Sequence, residues 1–316
     1  ELTVQLCMAG AAHLMDSLDR PAVTTIRTSI DYAAGLAKEC FWPQFHQVNM
    51  LAWALGVWPF KDNFHAEEDH GFEEALIATL SGGMVGAGDA IGRADPSLLL
   101  RTCRADGLLL KPDRPALPLD AMFLPHDRPY LVATSSRRPG LGRWTYLAAF
   151  HLASEHPERT AEDELFASFA YDGRPIGDTF VWPARVRDWH LDPGEDLGIH
   201  GPVVCYDWRA GTAFLAERAF EIPKAEHLYQ GAYLVLAPVF SNGMALIGET
   251  GKFVTVADRR FVSIQPAADA IDVVFEGASG ERVCLQAFDV ASRTLLEPVC
   301  VTIGPDGLAQ ARLGRR

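Results

Sequence analysis

The residues best suited to chemistry lie in the stretch 22–32, where a run of β-branched residues ends in polar side chains. β-Branched residues favour strands, and residues two apart in a strand share a face, so Arg27, Ser29 and Asp31 point the same way. In a β/α barrel, catalytic side chains lie at the carboxyl ends of strands. Arg27 and Asp31 are therefore candidates for binding and acid–base chemistry, while an edge strand with a surface Arg–Asp ion pair explains the same pattern.

Two more aspartates follow predicted strands, Asp62 after the strand 56–60 and Asp89 after a glycine-rich strand at 83–88. Each could accept hydrogen bonds from a ligand's hydroxyl groups, although loop capping would also explain Asp62, and helix or turn capping would explain Asp89. Trp58 could stack on a ring, whereas a place in the core is the simpler explanation. Three strand ends that each offer an aspartate fit the mouth of a barrel.

The elements that must position these residues alternate between strand and helix up to about residue 104, which favours parallel βαβ units. We predict strands at 2–8, 22–29, 56–60 and 83–88, and helices at 11–18, 45–55, 70–80 and 96–104. After a Pro- and Asp-rich linker, turn signals separate short apolar runs, which is typical of an antiparallel β-sandwich. Its predicted strands are 130–134, 144–150, 203–208, 213–215, 233–239, 244–248, 253–256, 271–275 and 282–287.

Composition limits the class of partner. The 316-residue chain is 48% hydrophobic and 22% charged, as globular proteins are, with a formal net charge of −13. That charge disfavours nucleic acids and anionic membranes, which bind clustered Lys and Arg. The six cysteines lie far apart without a Cys-x-x-Cys pair, so we expect buried free thiols in a reducing, cytoplasmic compartment. No apolar run approaches ~18 residues, so no membrane-spanning helix is expected.

Two further patterns indicate other classes of site. Gly86, Gly88 and Gly92 form a Gly-x-Gly-x-x-x-Gly run, which differs in spacing from the dinucleotide fingerprint and leaves a nucleotide-binding α/β protein as an alternative. Three histidines, at 46, 65 and 70, have spacing too loose for a metal site, and core or surface positions explain them better.

The order of short motifs along the chain resembles the raffinose synthase and alkaline α-galactosidase group of glycoside hydrolase family 36. The matching stretches are QLCM at 5–8, AVTTIRTSIDY at 22–32, PFKDNFH at 59–65, LSGGMVGAGDAIG at 80–92, LLLRTCRADGLLLK at 98–111, DRPALPLDAMF at 113–123, VVCYDWRAGTAF at 203–214 and LVLAPVFSNGMALIG at 234–248. The resemblance implies an α/β plus all-β chain. Residues 1–128 would be the second half of a (β/α)8 barrel with a wrapping linker, and residues 129–316 would be an antiparallel β-sandwich.

The resemblance also assigns roles to residues. The family's acid/base lies in an Arg-x-x-x-Asp motif, which matches Arg27 and Asp31, so Asp31 would be the acid/base and Arg27 would hold sugar hydroxyls. Asp62, Asp89 and Trp58 would contact substrate. Relatives often carry an aspartate where this chain has Ile30, and Phe60, Lys61 and Asn63 also depart from the family, so substrate contacts are expected to differ.

The family's nucleophile is an aspartate in a Lys-x-Asp-x-Gln motif on the fourth barrel strand, and this sequence has no such motif. That strand would lie just before residue 1, so the chain is expected to begin inside a domain and to need an N-terminal half or another chain. The resemblance implies a retaining α-galactosidase or galactosyl-transfer enzyme that acts on raffinose-type α-galactosides without a metal or organic cofactor. A non-catalytic carbohydrate-binding or interaction protein that lacks the nucleophile strand is the main alternative.

Overall fold

A computed structural model describes residues 2–32, 38–152 and 185–315. The first part of the chain forms a parallel sheet with strand order β1-β2-β3, and helices connect the strands. Its elements are β1 Val4–Leu6, α1 Ala11–Asp16, β2 Val23–Arg27, α2 Lys38–Ala54, β3 Trp58–Phe60, α3 Gly71–Leu80 and α4 Pro96–Leu99. Parallel pairing of the first three predicted strands is therefore confirmed.

The fourth predicted strand, 83–88, is wrong. The segment is a series of turns, and its one described ladder contact is a parallel bridge between Phe64 and Ala87. Gly83 packs so closely on β3 that an added Cβ would lie 2.1 Å from the Pro59 carbonyl oxygen, and Gly82 has a positive φ of 72°. Because these glycines have no side chain, the backbone can pack closely on β3 and turn, so the segment does not pair as a strand. The described residues form no closed barrel.

Two helices also differ from the predicted bounds. The helix predicted at 45–55 begins earlier, since α2 starts at Lys38 and runs through Pro43, although proline disfavours a helix interior. The helix predicted at 96–104 ends at Leu99 and gives way to turns. Its start agrees with the sequence, because Asp95 caps it by accepting a 2.8 Å hydrogen bond from the Ser97 amide.

The rest of the chain forms mostly antiparallel sheets, as predicted. One sheet has the order β4-β5-β6-β11-β8-β9, another joins β12, β15, β16 and β17, a third is β13-β14-β18, and β7 pairs with β10. The strands are β4 Leu117–Pro118, β5 Tyr130–Arg138, β6 Gly142–Phe150, β7 His190–Leu191, β8 Val203–Asp207, β9 Thr212–Ala216, β10 Phe220–Glu221, β11 Gly231–Pro238, β12 Met244–Gly248, β13 Phe261–Pro266, β14 Ala270–Glu276, β15 Arg282–Asp289, β16 Thr294–Leu295, β17 Val299–Thr302 and β18 Leu308–Gly314; the short helix α5 spans Pro193–Leu197.

One predicted strand of this half, 253–256, is wrong. These residues are fully buried but lie in turns, where the Phe253 amide donates to the Arg101 carbonyl (2.9 Å). A short buried apolar run does not by itself distinguish a strand from a buried turn. Conversely, the prediction missed β13, β17 and β18, although β18 alternates between exposed and buried residues as strands do.

Helices α2 and α3 lie against the antiparallel half, so the apolar core is continuous between them. The ring of Trp42 in α2 lies 4.8 Å from that of Phe150 in β6, and the ring of Phe72 in α3 lies 5.3 Å from that of Phe253. The Arg209 guanidinium covers Phe72 at 3.9 Å. These contacts hold α2 and α3, which follow β2 and β3 of the parallel sheet, against the well-packed antiparallel half.

The free-thiol prediction is wrong for two cysteines. Cys284 of β15 and Cys300 of β17 are cross-strand partners with Cα atoms 4.0 Å apart, and they form a disulfide. Cys7, Cys103 and Cys205 are free, but only Cys205 is buried as predicted, whereas Cys7 is exposed and Cys103 is half-buried. Burial raises the pKa of the Cys205 thiol well above its usual range. The prediction for Cys40 lies outside the described side chains. Separately, no helix in the described ranges has the length and apolar character needed to cross a membrane.

Candidate functional site

The site begins where two neighbouring parallel strands end. Arg27, the last residue of β2, is in register with Phe60, the last residue of β3, so the chain leaves both strands at the same edge of the sheet. The Arg27 Nη2 donates to Asp31 Oδ1 at 2.5 Å, and its Nη1 lies 3.3 Å from Asp62 Oδ2. The Arg27 side chain is buried, whereas that of Asp31 is 72% exposed. One guanidinium therefore joins two carboxylates, of which only Asp31 faces the solvent freely.

Hydrogen bonds between the two loops fix this arrangement. The Asp62 amide donates to Ser29 Oγ at 2.8 Å, and the Tyr32 amide donates to Asp62 Oδ2 at 2.7 Å. Below them, the buried Thr28 hydroxyl donates to Asn49 Oδ1 in α2 at 2.5 Å. The chain on both sides of Asp31 is thus held by polar contacts to β3's loop and to α2, which limits the positions its carboxylate can take.

Electrostatics keep the inner pair of this site ionised. Burial lowers the pKa of Arg27, but the hydrogen bond to Asp31 and the charge of Asp62 outweigh it, so the net pKa is raised. Burial raises the pKa of Asp62, but hydrogen bonds from the Tyr32 amide and the charge of Arg27 lower it below the usual range. Asp62 is therefore a fixed anion that can accept hydrogen bonds.

A buried charge cluster lies beside the same loop, and sequence reasoning missed it. Glu74 of α3 is only 2% exposed and pairs with Lys61 Nζ at 2.8 Å and Lys38 Nζ at 3.1 Å, while Trp42 Nε1 donates to it at 3.1 Å. Burial raises the pKa of Glu74, but the two ammonium groups outweigh this and lower it. The Tyr32 ring lies 4.7 Å from Lys61 Nζ. A buried carboxylate must be paired, but the helical pattern gave no signal, because Glu74 lies on the opposite side of α3 from Phe72 and Leu76.

The pocket that the described residues form between Asp31, Tyr32 and this cluster is small and partly open. Its volume is about 30 Å³, which is enough for about one water molecule. A sugar ring would not fit inside it. Any substrate of that size would lie on the open side of the loop, where the Asp31 carboxylate is exposed.

Asp89 is not brought to Arg27 in the described contacts. Its Oδ1 accepts a 2.7 Å hydrogen bond from the Ala66 amide, which places it behind the loop that follows β3. That loop reaches the site through Glu68, whose carboxylate accepts a hydrogen bond from the Tyr32 hydroxyl and lies 3.2 Å from His65 Nδ1. The structure therefore joins Arg27, Asp31 and Asp62 directly and places Asp89 one loop away.

Trp58 lies at the opposite end of β3 from Asp62. It stands at the start of β3, whereas Asp62 follows the end of that strand, and its ring lies 5.0 Å from that of Trp53. It lines a separate cavity of about 720 Å³ together with residues 107–109, 111–113 and 258–259. Gly82 lies flush against the ring, where an added Cβ would come within 2.2 Å. Trp58 is thus apart from the aspartates it was expected to join.

Neither a metal nor a dinucleotide site is formed by the residues of the described ranges. They contain no group of three or more His, Cys, Asp or Glu side chains that could hold a metal ion. The glycine run at 86–92 lies in turns, and the next helix begins only at Pro96. A dinucleotide fingerprint needs a strand directly before the glycines and a helix that opens on them.

Comparisons with known proteins give a distant likeness. No family model matches the chain, and no curated protein matches it. Among solved structures, the chain is similar to the isomalto-dextranase of Arthrobacter globiformis T6, complexed with panose, with 11% sequence identity and a TM-score of 0.41. The match covers 98% of this chain and 56% of that one, so the chain spans little more than half of that protein's length. A likeness at this level does not establish shared chemistry.

Proposed function

We propose that Arg27, Asp31 and Asp62 form the acid/base side of a site that processes raffinose-type α-galactosides with retention of configuration. The observation that carries the proposal is the position of Arg27, which pairs with two carboxylates that follow adjacent parallel strands. The motifs that resemble the raffinose synthase and alkaline α-galactosidase group support the same assignment.

The two carboxylates have environments suited to different tasks. A general acid must come within hydrogen-bond reach of the glycosidic oxygen, and the exposed Asp31 carboxylate is open to such an approach. Asp62 is 20% exposed and is held as an anion, so it suits the binding of sugar hydroxyls. Arg27 orients both carboxylates and donates hydrogen bonds to the sugar.

A retaining mechanism also needs a carboxylate nucleophile ~5–5.5 Å from the acid/base. The sequence has no Lys-x-Asp-x-Gln motif, so we propose that an N-terminal half or another chain supplies this group. The nucleophile would displace the leaving sugar as Asp31 protonates its oxygen, and a covalent galactosyl-enzyme would result. Water then completes hydrolysis, whereas a second sugar completes transfer.

Galactoside binding to the 316-residue chain tests the assignment. We expect calorimetry to show weak binding of raffinose with negligible turnover, and Asp62→Asn to weaken binding roughly tenfold through loss of charged hydrogen bonds. Asp19→Asn is the matched control, because Asp19 is exposed and precedes β2 rather than following it. Equal binding by all three proteins would overturn the role of Asp62.

A non-catalytic carbohydrate-binding protein is the second candidate. The observation that favours it is that the sequence contains no Lys-x-Asp-x-Gln motif, and so no recognisable nucleophile. An assay of the chain joined to a half that carries the nucleophile motif distinguishes these two functions. Turnover of raffinose by the joined protein supports the enzyme, whereas binding without turnover supports the alternative.

A cytoplasmic location is also part of the proposal. The free thiols of Cys7, Cys103 and Cys205 support it, whereas the Cys284–Cys300 disulfide opposes it, because disulfides are rare in that compartment. Mass spectrometry of protein trapped by alkylation in cells tests the location, since a cytoplasmic protein should contain this pair in the reduced form. An oxidised pair would contradict a cytoplasmic location.

A further inference from the structure

Another cavity, separate from those beside Asp31 and Trp58, lies on the sheet formed by β4, β5 and β6, next to α5. Its volume is about 440 Å³, which falls in the range of small-molecule sites, and it contains none of the residues of the candidate site. Its presence is therefore independent of the function proposed above.

The floor of this cavity is polar. Ser135 of β5 and Thr145 of β6 are cross-strand partners and both line the space. Thr145 is only 3% exposed, and its Oγ1 has no hydrogen-bond partner among the described residues. A buried hydroxyl without a partner is costly and uncommon, which indicates a group that is satisfied when something occupies the cavity.

Positive charge surrounds that floor. Arg137 and Arg143 stand directly opposite each other on β5 and β6, an arrangement that is unfavourable for like charges. Within the described part of the chain, the Arg143 guanidinium donates only to the Leu197 carbonyl, at 2.7 Å, and Arg114, which also lines the cavity, pairs with no carboxylate. Burial lowers the pKa of Arg143, and the charges of Arg114 and Arg137 lower it further. A bound anion would relieve this repulsion.

Three carboxylates line the same cavity, and one of them, Asp196, pairs with Arg128 at 2.7 Å. The other two, Asp120 and Glu195, would oppose a highly charged ligand. They can instead accept hydrogen bonds from hydroxyl groups. We propose that the cavity binds a small sugar acid, whose carboxylate pairs with Arg114 and Arg143 and whose hydroxyls contact Thr145, Asp120 and Glu195. Arginine suits this task because its planar fork matches a carboxylate.

Calorimetry on the whole chain with four probes tests the class of ligand. We expect glucuronate or galacturonate to bind, with an affinity that falls as salt is added, because the contact is ionic. Glucose and inorganic phosphate should bind roughly tenfold more weakly or not at all, since each lacks half of the recognised groups. Binding of glucose as tight as that of glucuronate would overturn the proposal, as would equally tight binding of phosphate or no binding of either sugar acid.

Variants distinguish a ligand site from a structural feature. Arg114→Gln should weaken glucuronate binding roughly tenfold, whereas Arg312→Gln, at an exposed ion pair on β18, should leave it unchanged. Thr145→Val removes the unpartnered hydroxyl, so it should weaken binding while the Tm of the ligand-free protein stays equal or rises. A lower Tm with unchanged affinity would mean that Thr145 is only structural. Asp31→Asn should bind glucuronate normally, which separates this proposal from the function of the first site.

Discussion

The parallel sheet at residues 2–60 and the antiparallel half after residue 130 are packed very differently. The parallel sheet has a small core of six residues, and large apolar side chains around it are exposed, among them Leu2, Met8 and Leu51. In the antiparallel half, seven consecutive residues of β11 are buried. The candidate site lies on the less tightly packed region, where polar contacts rather than apolar burial hold the loops.

Each half of the chain contains a buried ionic cluster. One cluster has a single carboxylate between two cations, and the other has a single cation between two carboxylates. In the first, Glu74 lies between two lysines. In the second, Arg260, fully buried, lies between Glu249 at 2.8 Å and Glu281 at 2.5 Å. Glu74 has two cations, so it stays paired if one lysine is lost, whereas the single guanidinium of Arg260 pairs with two buried glutamates. We therefore expect the Arg260 cluster to be the more sensitive of the two.

Loss of the Arg260 charge is the largest expected effect. Arg260→Met removes the guanidinium that both carboxylates share and leaves Glu249 with only Lys252, at 4.0 Å, and Glu281 with backbone amides. It should therefore lower the free energy of unfolding by about 3–5 kcal/mol. Urea unfolding followed by tryptophan fluorescence measures this, with Arg312→Met as the exposed control, expected to change it by less than ~1 kcal/mol. If the two variants lose the same amount, the buried cluster does not stabilise the antiparallel half.

The difference in packing predicts that shortening an isoleucine to alanine lowers the free energy of unfolding by different amounts in the two regions. Ile271→Ala removes a fully buried side chain from the antiparallel core and should cost about 4 kcal/mol, since neighbouring side chains cannot collapse into the cavity. Ile26→Ala in the small core, where exposed neighbours can shift, should cost about 2 kcal/mol. Equal losses in chemical unfolding would contradict the claim that the two regions differ in packing.

How far the sequence predicted the molecule also differs between the regions. Alternation and turn residues located most antiparallel strands, and β-branched runs located β2. The strand at 83–88 was wrong because glycines that permit close packing on β3 look the same in sequence as glycines in a strand. The strand predicted at 253–256 was wrong because a short, fully buried apolar run does not show whether its backbone forms a strand or a turn.

The candidate site was predictable in part. The sequence paired Arg27 with Asp31, but β2 ends at Arg27, so Asp31 contacts it from the following loop and not from the same face of a strand. The end of β3 added Asp62. The Glu74 cluster depends on α3 packing over the sheet, a long-range contact that local patterns do not encode. Trp58 is the first residue of β3, so a correct prediction of that strand did not place its side chain beside Asp62, which follows the strand's other end.

Acid should weaken the helical layer that supports the site. Burial lowers the pKa of His46 in α2 from 6.5 to about 3, so the folded state resists its protonation. Because the folded pKa lies below the unfolded one, this stability is complete above pH 6.5 and is lost as the pH falls towards 3. Between about pH 7 and pH 5 the loss should be about 2 kcal/mol.

His46→Leu removes the titrating group and isolates this effect. The variant should lose about 2 kcal/mol less than the unmodified protein over the same pH range, when both are unfolded with urea. Parallel pH profiles for the two proteins would show that other groups cause the acid sensitivity.

The central claim, that Asp31 is the acid/base, is tested most directly by its dependence on the leaving group. The measurement compares Asp31→Asn with the unmodified enzyme, each joined to a half that carries the nucleophile motif, on raffinose and on a nitrophenyl α-galactoside. Raffinose needs protonation of its leaving oxygen, so its kcat/KM should fall by about 10²–10⁴-fold, whereas the activated substrate should lose much less in the first step. Unchanged hydrolysis of raffinose by Asp31→Asn would contradict the assignment.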